Sequence, residues 1–364
     1  MERTEGARPE APIHGEAFVR LVARARAAAE AAKTRLEIGP LEPGDLEPWP
    51  GHGSARRREL EALGERAFAR GEVASVVVAG GAATRFGGAV KALVPAIGGR
   101  TFLDLKLADA RRAAARFGRD VPVAVMTSDL THDAIAAHLA GAPDVIAFRQ
   151  RMLPRLTAEF ELWRDASGAP QLAPAGHGDF FRALRESGAG EELARRGVRQ
   201  VYFTNVDNLA ATLEPVIAGA HLALDGAMTV EVTDRRGPSG QLAAGAAPVR
   251  VGGRPVLVEQ VDPARHPLIS TNNITFDLAR ILERELPLPL RAVSKEVDGA
   301  RVLQVEQVTG EVTLLTDAAG QPLLPCRFLV VPRAEPDATR FEPVKAREDL
   351  GRVAARLAPR FEDA

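Results

Sequence analysis

A short run rich in valine, Val73–Ala79, meets Gly80-Gly81 with no spacer, and that junction constrains the fold more than any other feature of the chain. A run of this length and β-branched content reads as a buried strand, ended where glycine frees the backbone to turn. Similar runs recur at Val121–Met126, Val145–Phe148 and Val201–Phe203, while helical spacing of apolar residues marks Leu103–Phe117, His132–Leu139 and Phe180–Glu186. Buried strands alternating with helices predict an α/β fold with a mixed, mostly parallel sheet flanked by helices. After Leu224 the texture changes. Met228–Val232, Val249–Val251, Pro255–Gln260 and Val302–Leu315 lie close together, with a turn at Gly252-Gly253, which predicts an added antiparallel region.

Toward the N-terminus, Phe18, Leu21, Val22 and Ala25 share one face of a helix expected from Glu16 to Lys33, and a second helix is expected over Arg56–Ala69. Pro43, Gly44, Pro48, Pro50, Gly51 and Gly53 read as a connector between them. A closing helix is expected at Arg347–Phe361. The expected division is a helical segment at 1–70, a catalytic domain at 71–330 and a short C-terminal segment at 331–364. A formal charge of −1 supplies no basic field of the kind a nucleic-acid binder carries. The single cysteine, Cys326, excludes an intrachain disulfide or a multi-cysteine metal site and points to a reducing compartment, the cytoplasm by default. No apolar stretch approaches the about 20 residues of a membrane span, and residues 1–15 lack the apolar core of a signal peptide. Neither nucleic acid nor membrane is expected as a partner.

The segment from Val76 to Lys91 carries the strongest chemical signal. Where Ala79, Gly80 and Gly81 leave the strand, glycines let the backbone approach a polyphosphate, successive N–H groups face its oxygens, and Lys91 adds a mobile positive charge. Neither the P-loop nor the dinucleotide spacing is met. Taken alone, a tight strand-to-helix turn with a solvated lysine is the simpler reading. In Pro174-Ala-Gly176-His177-Gly178-Asp179 the two glycines leave the imidazole little packing from its neighbours, although a lone histidine is more often structural. Thr204-Asn205-Val206-Asp207-Asn208-Leu209 follows the apolar run Val201-Tyr-Phe203, so Asp207 belongs at the carboxyl end of a strand, where open α/β sheets place ligands. One such carboxylate suits Mg²⁺, which completes its shell with substrate phosphates and water. The same residues also commonly cap helices or close turns.

Along the chain, these segments are joined by Thr101-Phe-Leu-Asp-Leu105, Met126-Thr-Ser128, Phe148-Arg-Gln150, Glu231-Val-Thr233, Leu257-Val-Glu259, Ser270-Thr-Asn272-Asn273 and Arg340-Phe-Glu-Pro-Val-Lys345. Over roughly residues 70–350 this series resembles, in order, the UDP-glucose pyrophosphorylase family. The resemblance implies a Rossmann-like, GT-A-like nucleotidyltransferase fold whose later half holds the sugar. It also implies roles that spacing alone does not give. Nucleotide contacts fall on Ala79, Gly80, Gly81, Gln150, Gly176, Asn205 and Asp207, with Mg²⁺ on Asp207. Sugar-phosphate contacts fall on His177, Gly240, Glu259 and Asn272, and catalytic charge on Arg85, Lys91 and Lys345. Lys295 matches less closely and is expected only to stabilise. Two departures stand out: the family's glycine before threonine is Ala83 here, and its Pro-Lys is Val90-Lys91, reached with one residue fewer. Only about a helix follows Lys345, so the C-terminal β-helix of eukaryotic-type members is expected to be absent, and a monomer or weak homo-oligomer is expected.

The reaction so implied joins UTP to a hexose 1-phosphate and releases pyrophosphate. The sugar phosphate needs no general base, being largely dianionic at neutral pH with a second pKa near about 6. Glu-Val-Thr, Thr-Asn-Asn and Pro-Val-Lys look more like the glucose branch than the N-acetylglucosamine branch. A UDP-N-acetylhexosamine pyrophosphorylase, a non-catalytic UDP-sugar sensor and a glycosyltransferase releasing UDP stay open as alternatives.

Overall fold

The computed structural model describes residues 10–32, 36–81, 86–237, 240, 242–335 and 338–361. Among these, eight strands form the central sheet. In chain order they are β1 (Leu46–Glu47), β2 (Val73–Val78), β3 (Val123–Thr127), β4 (Ile146–Arg149), β5 (Gln200–Asn205), β6 (Met228–Asp234), β7 (Leu268–Asp277) and β8 (Cys326–Val330). Across the sheet they run β1-β8-β6-β7-β5-β2-β3-β4. The β2–β3, β3–β4, β2–β5, β6–β8 and β1–β8 pairs are parallel, and β7 is antiparallel to both β5 and β6. Only β7 therefore runs against the other strands, and the carboxyl ends of the rest share one edge.

The valine-rich β2 is buried along nearly its whole length because both faces of the sheet are covered. On one face pack the helices Ala55–Ala69, Phe102–Phe117 and Pro215–Ala223, with Val344, Val353, Leu357 and Phe361 from the C-terminal end. The helix Phe102–Phe117 starts on a capping box between Thr101 and Asp104 and stops at Gly118, whose φ of 69° ends the helix in the left-handed region. Helices Ala55–Ala69 and Pro215–Ala223 touch backbone to backbone: a β-carbon on Gly64 or Gly219 would fall 1.9 or 1.8 Å from a carbonyl oxygen of the other helix. On the opposite face Phe180, Phe203 and Phe276 stack within 6.0 Å of one another. Each fully buried phenylalanine contributes roughly 1.5–3 kcal/mol of transfer free energy.

The expected strands and helices appear within a few residues of their expected bounds, with three differences. Leu46–Glu47 lies inside the stretch read as connector, yet it adds an edge strand through Leu46 opposite Phe328. Of the later segments, β6, β7 and β8 complete the central sheet, and the separate antiparallel pieces are the hairpins Ala247–Val251/Arg254–Val258 and Arg291–Val297/Ala300–Glu306. Finally, Val302–Leu315 is not one strand: it ends at Glu306, and Thr309–Leu314 forms a 3₁₀ helix. Thr313 Oγ1 donates to the Gly310 carbonyl there, and Gly310 packs closely on Leu257. The N-terminal helix Gly15–Ala31 packs Leu21 and Ala25 against Leu153, Leu156, Leu290 and Val305. Among the described residues no helix is long and apolar enough to cross a membrane.

Candidate active site

Because β2, β3, β4 and β5 end at the same edge, residues just past them become neighbours although distant in sequence. Past β2, the buried Ala79 donates its N–H to the Met126 carbonyl (2.8 Å). At Gly80 a β-carbon would come within 1.9 Å of Gln150 Nε2 and 3.0 Å of the Thr127 carbonyl. Gln150, buried just past β4, in turn accepts on Oε1 the N–H of Gly176 (2.9 Å). Gly80, Gln150 and Gly176 thus form one patch, bordered by the exposed Gly81. Gly80→Ala is expected to push the Gln150 amide aside and raise KM for the nucleotide about tenfold, equivalent to about 1.4 kcal/mol, with kcat little changed. An unchanged KM would take Gln150 out of the nucleotide pocket.

Past β5, the turn that carries Asp207 is held from several sides. Lys106 reaches up from the helix Phe102–Phe117 and donates to the carbonyls of Asn208 (2.7 Å) and Ala211 (2.8 Å). Burial lowers the pKa of this lysine to about 8. Asn208 donates to Asn273 Oδ1 (3.2 Å) and to the Arg340 carbonyl (3.0 Å), and accepts the N–H of Glu342 (3.0 Å). The N–H of Val344 donates to the Asp207 carbonyl (3.0 Å). These bonds lay residues 340–345 as a strap across the turn. At the head of the strap the buried Arg340 donates to both carboxylate oxygens of Glu231 (3.0 Å each) and to the Thr212 carbonyl (2.9 Å), while Tyr202 Oη donates to Glu231 (2.6 Å). Burial works against the guanidinium charge, yet the Glu231 carboxylate holds the Arg340 pKa above its ordinary value.

The strap delivers Lys345. Its Nζ lies 3.8 Å from Asp207 Oδ2, and Lys91 Nζ lies 2.6 Å from the same oxygen. Two lysines singled out from the sequence therefore meet at one carboxylate, itself singled out. The other oxygen, Asp207 Oδ1, is buried without a hydrogen-bond partner among the described residues. Leaving such an atom bare costs roughly 1–3 kcal/mol, which a hard cation would offset. No group of three or more His, Cys, Asp or Glu among the described residues could hold a metal alone. A divalent cation on Asp207 must therefore complete its shell from ligand oxygens and water.

His177 opens the turn His177–Asp179, which Arg151 and Arg182 anchor by pairing with the buried Asp179 carboxylate. His177 Nδ1 lies 2.7 Å from Thr309 Oγ1, whose hydroxyl donates to the His177 carbonyl (2.9 Å), and 3.2 Å from the Thr309 N–H, so Thr309 fixes the orientation of the ring. Burial, with repulsion from Lys345, pushes the His177 pKa down to about 4, and burial alone does the same to His221. Both rings fold in the neutral form. As pH falls from 6.5 towards 4, the unfolded chain takes up protons that the folded one refuses. Stability is thus complete above pH 6.5 and is expected to drop by up to about 1.4 kcal/mol per pH unit for each such histidine. Urea midpoints at pH 7 and pH 5 test this, and His221→Asn should flatten the dependence.

Asn205 Oδ1 accepts from Asn272 Nδ2 (3.0 Å), which joins the nucleotide and sugar candidates across β5 and β7. Asn272 sits at φ 59°, a left-handed conformation asparagine tolerates. Glu259 lies beside Arg291, Glu306 and Glu311; burial raises its pKa and pushes that of Glu311 up to about 7, with Arg291 opposing both. A carboxyl near neutrality can donate as well as accept, which suits hydroxyl groups. Gly240 turns at φ 78° and bonds the Gly237 carbonyl. No bond among the described residues links Gly240 or Glu259 to Asn272. Lys295 is exposed on its hairpin. Arg85, Ala83 and Thr84 lie outside the described residues.

Arg340, Glu231, Tyr202, Asn208, Lys106 and Thr309 were not marked as site residues by sequence reasoning. Arg340 heads the Pro-Val-Lys segment and Glu231 opens Glu-Val-Thr, so both lay within noted motifs. The signal for Lys106 was its place between Leu105 and Leu107 on an apolar helix; Thr309 carried none.

A family model described as UTP–glucose-1-phosphate uridylyltransferase matches residues 45–358. The UTP–glucose-1-phosphate uridylyltransferase of Solanum tuberosum is 30% identical over 283 residues, covering 71% of this chain and 56% of that protein. The UDP-N-acetylglucosamine pyrophosphorylase of Saccharomyces cerevisiae is 31% identical over 202 residues, 51% of this chain and 42% of that one. The chain thus spans about half the length of the curated relatives it matches. Among solved structures, the uridine diphosphate N-acetylglucosamine pyrophosphorylase of Trypanosoma brucei superposes with a TM-score of 0.74 at 21% identity, over 93% of this chain and 76% of that one. At that identity the likeness speaks for the fold.

Proposed function

The chain belongs to the UTP–glucose-1-phosphate uridylyltransferase family, and from that premise we propose that it joins UTP to a hexose 1-phosphate, glucose 1-phosphate first, and releases pyrophosphate. The observation that carries the reading is the convergence of Lys91 and Lys345 on Asp207 at the carboxyl edge of the sheet. Two ammonium groups around one carboxylate leave a surplus positive charge, the setting a polyphosphate needs.

In this reading an oxygen of the dianionic sugar phosphate attacks the α-phosphorus of UTP in line, the bond to the bridging oxygen breaks, and pyrophosphate leaves with the electron pair. Catalysis of this kind rests on positioning and on balancing charge. Lys91 and Lys345 turn from Asp207 to the phosphates and stabilise charge as it moves to the leaving group. Neutral His177 positions the sugar phosphate, and Gln150 orients the base. Asn272 and Glu259 take sugar hydroxyls. Mg²⁺ held on Asp207 would supply further neutralisation of the phosphate oxygens. We place the reaction in the cytoplasm on the strength of the single thiol, Cys326, and expect a monomer or weak homo-oligomer.

The test is pyrophosphate release from the purified protein with Mg²⁺, across UTP, TTP, ATP and GTP against glucose, galactose and N-acetylglucosamine 1-phosphates. Release specific to UTP with glucose 1-phosphate is expected. Preference for N-acetylglucosamine 1-phosphate would move the chain towards the yeast relative. Silence with UDP-glucose binding intact would make it a sensor.

A further inference from the structure

Away from Lys91, Asp207 and Lys345, a cavity of about 690 Å³ opens between the helices Ala55–Ala69 and Phe102–Phe117 and the C-terminal Arg360. Arg57, Arg112, Arg116, Arg340 and Arg360 line it, against two carboxylates among the described residues, Glu214 and Glu335. The acids that pair with the outer arginines stand outside the lining: Glu61 with Arg57 (2.8 Å), Asp109 with Arg112 (2.6 Å) and Glu65 with Arg116 (3.1 Å). Arg57 commits only Nε to its partner and Arg116 only Nη2. A guanidinium has five N–H donors, so both keep donors for a further anion. Trp49 forms an adjoining wall, with the Arg57 Cζ 5.7 Å from its ring.

The floor leads to the strap. Thr212 Oγ1 donates to Glu214 Oε1 (3.1 Å) and accepts from Arg340 Nη1 (3.3 Å), and Arg340 begins the strap that ends at Lys345. We propose that this cavity is a second, anion-binding site for a phosphorylated small molecule, and that its occupancy is felt at Lys345 through Glu214, Thr212 and Arg340. A phosphate among the guanidinia repels the Glu214 carboxylate. Thr212, held by Glu214 and Arg340 together, shifts with it and moves the head of the strap. The binding half stands apart from the proposed reaction, and the coupling half rests on it.

The chain has two tryptophans, Trp49 and Trp163, so in a Trp163→Phe background emission reports on Trp49 alone. At constant ionic strength, inorganic phosphate and glucose 6-phosphate are expected to change that emission saturably. Arg57→Gln with Arg116→Gln should weaken binding at least about tenfold, while Lys91→Ala should leave it in place. Arg116→Glu, at a side chain 57% exposed, reads the same effect should the double variant fail to fold. In the unsubstituted protein, phosphate is expected to shift turnover at saturating substrate at least about twofold, and not in the double variant. No saturable change, or one that survives loss of the arginines, overturns the site. Binding with turnover unmoved overturns the coupling. A protein that binds phosphate here yet releases no pyrophosphate with any substrate upholds the site and counts against the proposed reaction.

Discussion

Lys91→Ala is expected to lower turnover about 10²–10³-fold, the loss that follows removal of one preorganised charge-stabilising donor. The ammonium lies 2.6 Å from Asp207 and 5.3 Å from the centre of the Phe86 ring, in a partly buried setting where water screens it poorly. Removing it leaves Lys345, at 3.8 Å, as the ammonium beside Asp207 among the described residues, and the site loses one positive charge. The effect should fall on kcat more than on KM, because the charge on the leaving pyrophosphate develops during the reaction. Lys91→Arg should recover little, since a planar guanidinium does not reproduce a compact ammonium at that distance. Steady-state pyrophosphate release, with thermal midpoints confirming that the variants fold, makes the comparison. Turnover like that of the unsubstituted protein in Lys91→Ala would remove this lysine from the chemistry.

Arg340→Leu is expected to destabilise the fold by about 3–5 kcal/mol, the range for breaking a buried ion pair from one side. The reason is what remains. Glu231, 1% exposed, would keep only Tyr202 and a long contact to Asn273, at 3.4 Å, as partners for a buried charge. Replacing both members, Arg340→Leu with Glu231→Leu, should return part of the loss because no orphaned charge is left. Urea midpoints for the two single variants and the double variant close the cycle. Stability still lost in full in the double variant would mean that the arginine acts mainly through the Thr212 carbonyl. In either case the strap loses its head, so the double variant should recover stability without recovering turnover. That separation is what marks Arg340 as a positioning residue for Lys345.

Much of this arrangement was legible in the chain itself. The valine runs and the helical spacing between them place β2 to β5 and their intervening helices, because local periodicity records which side of an element faces the core. The glycines at Gly80 and around His177 mark where backbone must turn or be approached closely, and at Gly80 the approaching group is the Gln150 amide. Position at the end of an apolar run put Asp207 at the carboxyl edge of the sheet. The net charge of −1 gave no reason to expect a nucleic-acid partner.

Periodicity carries no information about which distant segments pair. The reversed insertion of β7 between β5 and β6 brings Asn272 to Asn205, and an alternating strand reads the same whether its neighbour is parallel or antiparallel. Val302–Leu315 misled for a related reason: a valine-rich stretch keeps its apolar alternation where the chain turns into a 3₁₀ helix, closed by the Thr313 bond to the Gly310 carbonyl. Lys106 and Arg340 are charged residues in buried places. A sequence gives such residues to solvent by default, and only the tertiary structure supplies the carbonyls and the carboxylate that make their burial affordable. Local sequence determined the strands β2 to β5, the glycine turns and the kinds of groups at their ends. Bringing Lys91, Asp207 and Lys345 within one ion-pair distance was decided by tertiary structure, because it depends on hydrogen bonds between segments that the chain order keeps far apart.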